Sequence, residues 1–518
     1  MVRVQFWGTR GSIATPGSNT GRYGGNTSCI EVRSARGTLV VIDCGTGGRS
    51  LAQNLMADDG ARRGTILISH THWDHIQGIP FFDPLYVPGN EWHLYGPTGL
   101  RESLRDALAA QMQYLYFPVS LEQCAARIHY HDLVEGSFTI NDIRVTARYL
   151  NHPALTLGYR LQVDGATLVY ACDHEPYSRL LGLGEGRIAG EDLRHAEFIR
   201  GADLLIHDAQ YTTQEYPHKM GWGHSPVEYV VKLAEHAKVK TVALTHHDPC
   251  RDDDAIEDLM ESVRQATSVD IFAAREGRVV EVKAPSDNAI VAVSGELAEI
   301  PAERKLASPV VLVMITHQRM SAAVFDALRA ERICPQWLEH IDARALSVAR
   351  AAPALAIIEH DPPRIDGILM CSALRRHAPE HRLPVLLVAE HEVADAGVAA
   401  GVSDWLIKPF TAAHARTKMR TWLLRSANKP LRTRSHVYET RVQPRGRPRR
   451  AGTLEADKIE TVVREQASDR EQPDINSDKA ALLWMYGREI AAFDTPTFSN
   501  NLGRIIARAT SSIARRAG

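Results

Sequence analysis

The run Ile66-Leu67-Ile68-Ser69-His70-Thr71-His72-Trp73-Asp74-His75 decides how the rest of the chain is read. Its apolar half predicts the end of a buried strand. Three imidazoles and a carboxylate then follow within six residues. Neutral imidazole and carboxylate are the ligands that divalent transition metals take. In an extended loop His70 and His72 point the same way, because side chains alternate with a period of two. Asp74 and His75 then turn toward a neighbouring position, so one short loop can supply two adjacent metals. A lone histidine is ordinarily a surface residue; four ligand-type residues at this spacing are not explained that way.

The surroundings agree. Of 23 histidines in 518 residues, 15 fall before residue 250. Short apolar strands (38–42, 65–68, 167–170, 204–206, 241–244) alternate with turns and helical stretches, which predicts α/β or α+β structure. One helix is expected over Pro226–His236, with Ser225 as its N-cap. The length predicts two to four domains. Lys+Arg total 60 against 62 Asp+Glu, a net charge of −2 that gives no global pull toward nucleic acid or a membrane. No apolar run is long enough for a membrane span, and MVRVQFWGTRGS has no signal-peptide core. Seven scattered cysteines without a CxxC pair argue against a disulfide framework or thiolate zinc site, and for a reducing cytoplasm.

His70, His72, Asp74 and His75 match the HxHxDH signature, and here the sequence resembles the metallo-β-lactamase superfamily. His152 in Leu-Asn-His-Pro, Asp173 in Tyr-Ala-Cys-Asp-His and His246 in Leu-Thr-His-His-Asp-Pro follow in the order of the later family motifs. The resemblance implies two divalent metal ions, zinc by default with manganese or iron also compatible. One would take His70, His72 and His152, and the other Asp74, His75 and His246, with Asp173 bridging. His247 competes with His246 for the last position. Asp43, in Val-Ile-Asp-Cys-Gly, is a candidate acceptor for a ligand imidazole N–H. The implied fold is an αβ/βα sandwich over residues 1–282. The redox diiron members carry a carboxylate where His72 stands, which disfavours oxygen or nitric oxide reduction.

Phe6-Trp-Gly-Thr-Arg-Gly-Ser, Leu204-Leu-Ile-His-Asp208 and Gly221-Trp-Gly-His224-Ser resemble the ribonuclease Z and phosphodiesterase branch. There an acidic residue orients the histidine that protonates the leaving group. Asp208 and His224 take those places, and with Asp74 they are the candidate catalytic residues. The implied reaction is attack on a phosphodiester by a hydroxide held between the two metals. An alkoxide is a poor leaving group, so the proton from His224 favours diesters over acyl substrates. A small or cyclic-nucleotide-type diester is preferred to RNA, because no long basic Gly/Pro-rich arm is evident and the insert at 80–130 is aromatic and aliphatic. Nucleic acid remains an open but less favoured partner, and a membrane is not expected. The alternatives are a lactone or thioester hydrolase, or a signalling adaptor with a vestigial metal site.

After a linker at 283–307, residues 308–425 alternate strand and helix, the mark of a doubly wound parallel sheet. Ile365-Asp366-Gly367 and Lys408-Pro409-Phe410 resemble a response-regulator receiver domain. Its phospho-acceptor position is occupied by Glu359, its Mg²⁺-binding acids by Thr316 and His317, and its switch hydroxyl by Ala389. With too few hard oxygen ligands for Mg²⁺, this reads as a pseudo-receiver, in which Glu359 either mimics a permanent negative charge or is a neutral replacement in a domain kept for protein docking or dimerisation, so a homo-oligomer is compatible with it. Residues 426–478 are expected to be a polar linker, first basic and then acidic, and 479–518 an amphipathic helical tail.

Overall fold

The computed structural model describes residues 1–57, 62–100, 102–283, 309–315, 318–338, 353–377, 383–391, 394–427 and 434–436. Fourteen strands build its N-terminal part: β1 (Val2–Gly8), β2 (Cys29–Arg33), β3 (Leu39–Ile42), β4 (Arg63–Leu67), β5 (Glu91–Pro97), β6 (Arg127–Leu133), β7 (Gly136–Ile140), β8 (Ile143–Tyr149), β9 (Leu157–Val163), β10 (Ala166–Ala171), β11 (Leu204–Asp208), β12 (Thr241–Thr245), β13 (Asp270–Ala273) and β14 (Val279–Val282). Period-2 patterning explains them: in β1, Val2, Val4 and Phe6 are buried while Arg3 is exposed.

The strands form two sheets, ordered β14-β1-β2-β3-β4-β5-β6 and β13-β12-β11-β10-β9-β8-β7. Their inner faces share one apolar core, with Val4, Phe6, Ile30 and Leu67 meeting Val145, Leu161, Tyr170 and Ile206. Helices Gly47–Ala57 and Leu104–Gln111 cover the outer face of the first sheet. Helices Gly190–Ile199, Val227–Ala237 and Asp253–Ala266 cover that of the second. This is the expected αβ/βα sandwich. Ser225 does not cap the helix that follows it; Pro226 holds that position, and the Ser225 hydroxyl donates to the His174 carbonyl instead.

Five parallel strands make a separate sheet: β15 (Val311–Met314), β16 (Pro335–Trp337), β17 (Leu355–His360), β18 (Val385–Ala389) and β19 (Asp404–Ile407). Their order, β16-β15-β17-β18-β19, is that of a flavodoxin-like doubly wound sheet with apolar clusters on both faces. The edge strand β16 is three residues long and shows no apolar alternation. The acidic-pair positions Thr316 and His317, nearly all of the 283–307 linker and the 479–518 tail lie outside the described residues. Within the expected 426–478 linker, Arg434–His436 pairs with β6 as β20.

Helix Ala412–Ala427 joins this sheet to the sandwich. Its Leu424 enters the sandwich core, and its half-buried Arg425 bonds Glu135 at 2.8 Å and Glu191 at 3.0 Å. The Thr417 hydroxyl donates to the Pro153 carbonyl, one residue past His152. Among the described residues, no helix is long and apolar enough to cross a membrane.

Candidate active site

The candidate side chains of the sandwich stand at or just past the carboxyl ends of strands. Asp43 follows β3, Ser69–His75 follow β4, His152 follows β8, Asp173 follows β10, Asp208 ends β11 and His246 follows β12. Asp43, Asp173 and His246 have φ of 58°, 61° and 58°. That left-handed conformation costs a non-glycine residue about 1–3 kcal/mol and is retained where the surroundings impose it. Gly11, from the N-terminal Gly-Thr-Arg-Gly-Ser run, lets the backbone pass close to His246; a Cβ there would lie 2.4 Å from the His246 Nδ1.

Two groups of ligand-type residues result. His70, His72, His152 and Asp173 bring one nitrogen or oxygen each within 4.8 Å of one another, and so do Asp74, His75, Asp173 and His246. Asp173 belongs to both. Its Oδ2 lies 3.6 Å from His70 Nε2 and 3.5 Å from His152 Nε2, while its Oδ1 lies 3.1 Å from His75 Nε2 and 3.2 Å from His246 Nε2. His72 Nδ1 is 3.2 Å from His152 Nε2. Asp74 Oδ2 is 3.1 Å from His246 Nε2 and accepts from the Ser12 backbone N–H at 2.8 Å. His247 is turned away: its Nε2 donates to the Ala274 carbonyl at 2.8 Å.

The electrostatics fit metal binding. Burial, reinforced by neighbouring rings, holds His70 well below the usual imidazole range and His152 at about 3, so both are neutral. Burial works against charge on Asp173 and Asp74, yet His75 and His246 outweigh it and keep both carboxyls well below their usual range. His70 Nε2 and His75 Nε2 are buried without a well-formed hydrogen bond among the described residues. Orphaned buried nitrogens facing carboxylates are what a cation would satisfy.

Asp43 sits behind this cluster. It accepts from His75 Nδ1 at 2.7 Å, from the Ser69 N–H at 2.6 Å and hydroxyl at 2.8 Å, and from the Tyr170 hydroxyl at 2.6 Å. Asp208 accepts from the backbone N–H groups of His174 at 3.2 Å and Ser225 at 2.9 Å, and its Oδ2 lies 3.5 Å from His224 Nδ1. Burial opposes charge on His224, but Asp208 and Asp173 raise its pKa above the ordinary value. His224 lines an open cavity of about 690 Å³ together with His72, Asp74, His152 and Asp173; Trp73 (72% exposed) and Trp222 (45% exposed) flank it.

Residues 38–247 match the family profile described as Beta-lactamase superfamily domain. They form a domain of that superfamily. Divalent metal ions at the His/Asp cluster follow from the superfamily. Ribonuclease Z of Lactococcus lactis is 25% identical over 289 residues, 47% of this chain and 88% of that protein. A metallo-β-lactamase fold protein from Bacillus subtilis aligns with a TM-score of 0.40 at 21% identity, over 54% of this chain and 98% of its own. The chemotaxis protein CheY4 of Vibrio cholerae aligns with a TM-score of 0.20 at 22% identity, over 22% of this chain and 97% of its own.

In the second domain, Glu359 is fully buried at the end of β17, and Lys408 Nζ donates to its Oε1 at 2.8 Å. Ala389 ends the neighbouring strand β18.

Sequence reasoning missed Glu175. Its buried carboxylate accepts from the N–H of Gly221 at 2.7 Å, the N–H of Gly223 at 2.9 Å and the Tyr216 hydroxyl at 2.8 Å, fixing the loop that carries His224. The same loop touches the ligand cluster, because His152 Nδ1 donates to the Gly223 carbonyl at 2.9 Å. The signal was the Gly-x-Gly beside His224, which marks backbone that must be held from elsewhere.

Proposed function

We propose that the chain is a dinuclear metal-dependent phosphodiesterase for small or cyclic-nucleotide-type diesters. The observation that carries this reading is the Asp208–His224 pair beside the two ligand groups that share Asp173. His70, His72, His152 and Asp173 would hold one ion, and Asp74, His75, Asp173 and His246 the other. Bound there, divalent ions would supply Lewis-acid neutralisation of the phosphate and a hydroxide nucleophile at neutral pH.

The rest is the work of the chain's own residues. His224 carries a proton, favoured by Asp208, and delivers it to the leaving oxygen, the step an alkoxide needs and a thiolate does not. Asp208 faces the Nδ1 side of the ring at 3.5 Å, which leaves Nε2 as the donor. Asp43 and the Gly223 carbonyl fix the tautomers of His75 and His152. Trp73 and Trp222 offer exposed aromatic faces on which a base or aryl group can stack. The ribonuclease relatives act on a phosphodiester by name, which supports this class over an acyl substrate. The receiver-like domain acts as a non-phosphorylatable scaffold, since Glu359 is one methylene too long for the aspartyl-phosphate geometry and is paired with Lys408.

The test is hydrolysis of bis(p-nitrophenyl) phosphate with Zn²⁺ or Mn²⁺ by wild type, Asp74→Ala and His224→Ala. Wild type should turn over and Asp74→Ala should be strongly impaired, while His224→Ala should lose much less, because p-nitrophenolate leaves with little help from a general acid. Equal rates in Asp74→Ala would remove the dinuclear reading; an enzyme inert on diesters but active on thioesters would move it to the acyl class.

A further inference from the structure

A second set of ligand-type side chains lies away from the site just described. Strand β5 begins Glu91-Trp92-His93-Leu94-Tyr95, and β6 begins Arg127-Ile128-His129-Tyr130-His131. Alternation sends Trp92, Leu94, Ile128 and Tyr130 into the helix-covered core and places Glu91, His93, His129 and His131 together on the opposite face. The parallel register sets His93 directly beside His129. At one end of this face Tyr95 is covered by Phe138 of β7, with ring centroids 5.0 Å apart. At the other end the face reaches solvent, since the Glu91 and His129 side chains keep 25% and 12% of their exposure.

Glu91, His93 and His129 each bring a ligating atom within 4.8 Å of the other two. Glu91 Oε1 and His129 Nε2 are 3.0 Å apart. With metal–ligand bonds of about 2.0–2.2 Å, neighbouring ligand atoms around a divalent transition metal are separated by about 2.9–3.5 Å, so this pair needs almost no movement to share an ion. His93 is oriented from behind: its Nδ1 lies 3.0 Å from His131 Nε2, and the His131 ring stacks on Tyr95 at 4.0 Å. Outer partners of this kind fix the orientation of metal-binding imidazoles. Burial and the adjoining rings lower the His93 pKa and bring that of His131 to about 4, so both rings are neutral at physiological pH.

We propose that Glu91, His93 and His129 form a metal site, separate from the cluster around Asp173, for one divalent ion of the copper–nickel–zinc series. The ion ties β5 to β6 near the open end of the first sheet, with solvent completing its coordination. Two imidazoles and one carboxylate suit this series, and copper binds most tightly within it. The inference does not depend on the substrate proposed above.

The test uses the full chain, loaded with Zn²⁺ and freed of excess metal, then given one equivalent of Cu²⁺. Wild type should bind the copper without releasing zinc, and its electron paramagnetic resonance spectrum should show coupling to more than one nitrogen. In His93→Gln/His129→Gln, copper affinity should fall about a hundredfold and the nitrogen coupling disappear, with zinc content unchanged. Glu91→Gln, which keeps both rings and guards against a folding defect in the double variant, should weaken copper about tenfold. Unchanged affinity and spectrum in these variants, or zinc released in step with copper uptake, would overturn the proposal.

Discussion

His75 Nδ1 lies 2.7 Å from Asp43 Oδ2, and this bond leaves the ring's other nitrogen facing Asp74 and Asp173. Asp43 itself is held by Ser69 and Tyr170, so the ring orientation is set by groups from both sheets. Asp43→Asn keeps a residue type that tolerates φ near +60° but loses the charge that receives the imidazole proton. Metal affinity should fall about 10- to 100-fold, read by competition with a chromophoric chelator.

Asp208 raises the pKa of His224 against the effect of burial. A general acid acts in its protonated form, so activity should be present below the raised pKa and be lost as pH rises through it. Asp208→Asn removes the largest raising influence, and the alkaline limb of the pH–rate profile should move to lower pH. His224→Ala should cost about 10²- to 10⁴-fold on an alkyl leaving group and much less on p-nitrophenolate.

Gly223 has φ of +91°, and a Cβ there would lie 2.2 Å from His152 Nδ1. Gly223→Ala should therefore displace a ligand-type histidine as well as the His224 loop. Metal content and turnover should drop together. Glu175→Gln, which keeps the shape but weakens acceptance from Gly221 and Gly223, should lower kcat about tenfold with metal content nearly intact.

Arg425 is half-buried between Glu135 and Glu191. Removing the shared cation leaves two half-buried carboxylates without their partner, so Arg425→Ala should cost about 1–3 kcal/mol in the unfolding free energy of the full chain. Urea titration reads it directly.

Acetyl phosphate with Mg²⁺ should leave the mass of the purified chain unchanged, because Glu359 is fully buried and paired with Lys408. A stable adduct on the second domain would contradict the pseudo-receiver reading.

Much of this was legible in the sequence because strand ends announce themselves. An apolar run stopping at Ser69-His70, at Cys172-Asp173 or at Thr245-His246 marks both the sheet and the residue it delivers. What stayed hidden depends on contacts between distant segments. The choice between His246 and His247 turns on the Ala274 carbonyl, which only the packing of β13 supplies. Ser225 looked like a helix cap by local rules, but the demand of His174 prevailed. The histidine excess also divides in a way composition could not show. His174, His195 and His207 pack against one another in the interior, with His195 and His207 Nε2 atoms 3.2 Å apart, while His93, His129 and His131 share a sheet face.

The first sheet supplies Asp43 and the His70–His75 loop, and the second supplies His152, Asp173 and His246. Ions bound among them would cross-link the two halves of the sandwich at one edge. Each ion at a thousand times its dissociation constant adds about 4 kcal/mol to the folded state, a large share of what a domain has. The amount of intact protein in a cell would then follow the supply of metal, because the metal-free chain would be more open to proteases as well as inactive.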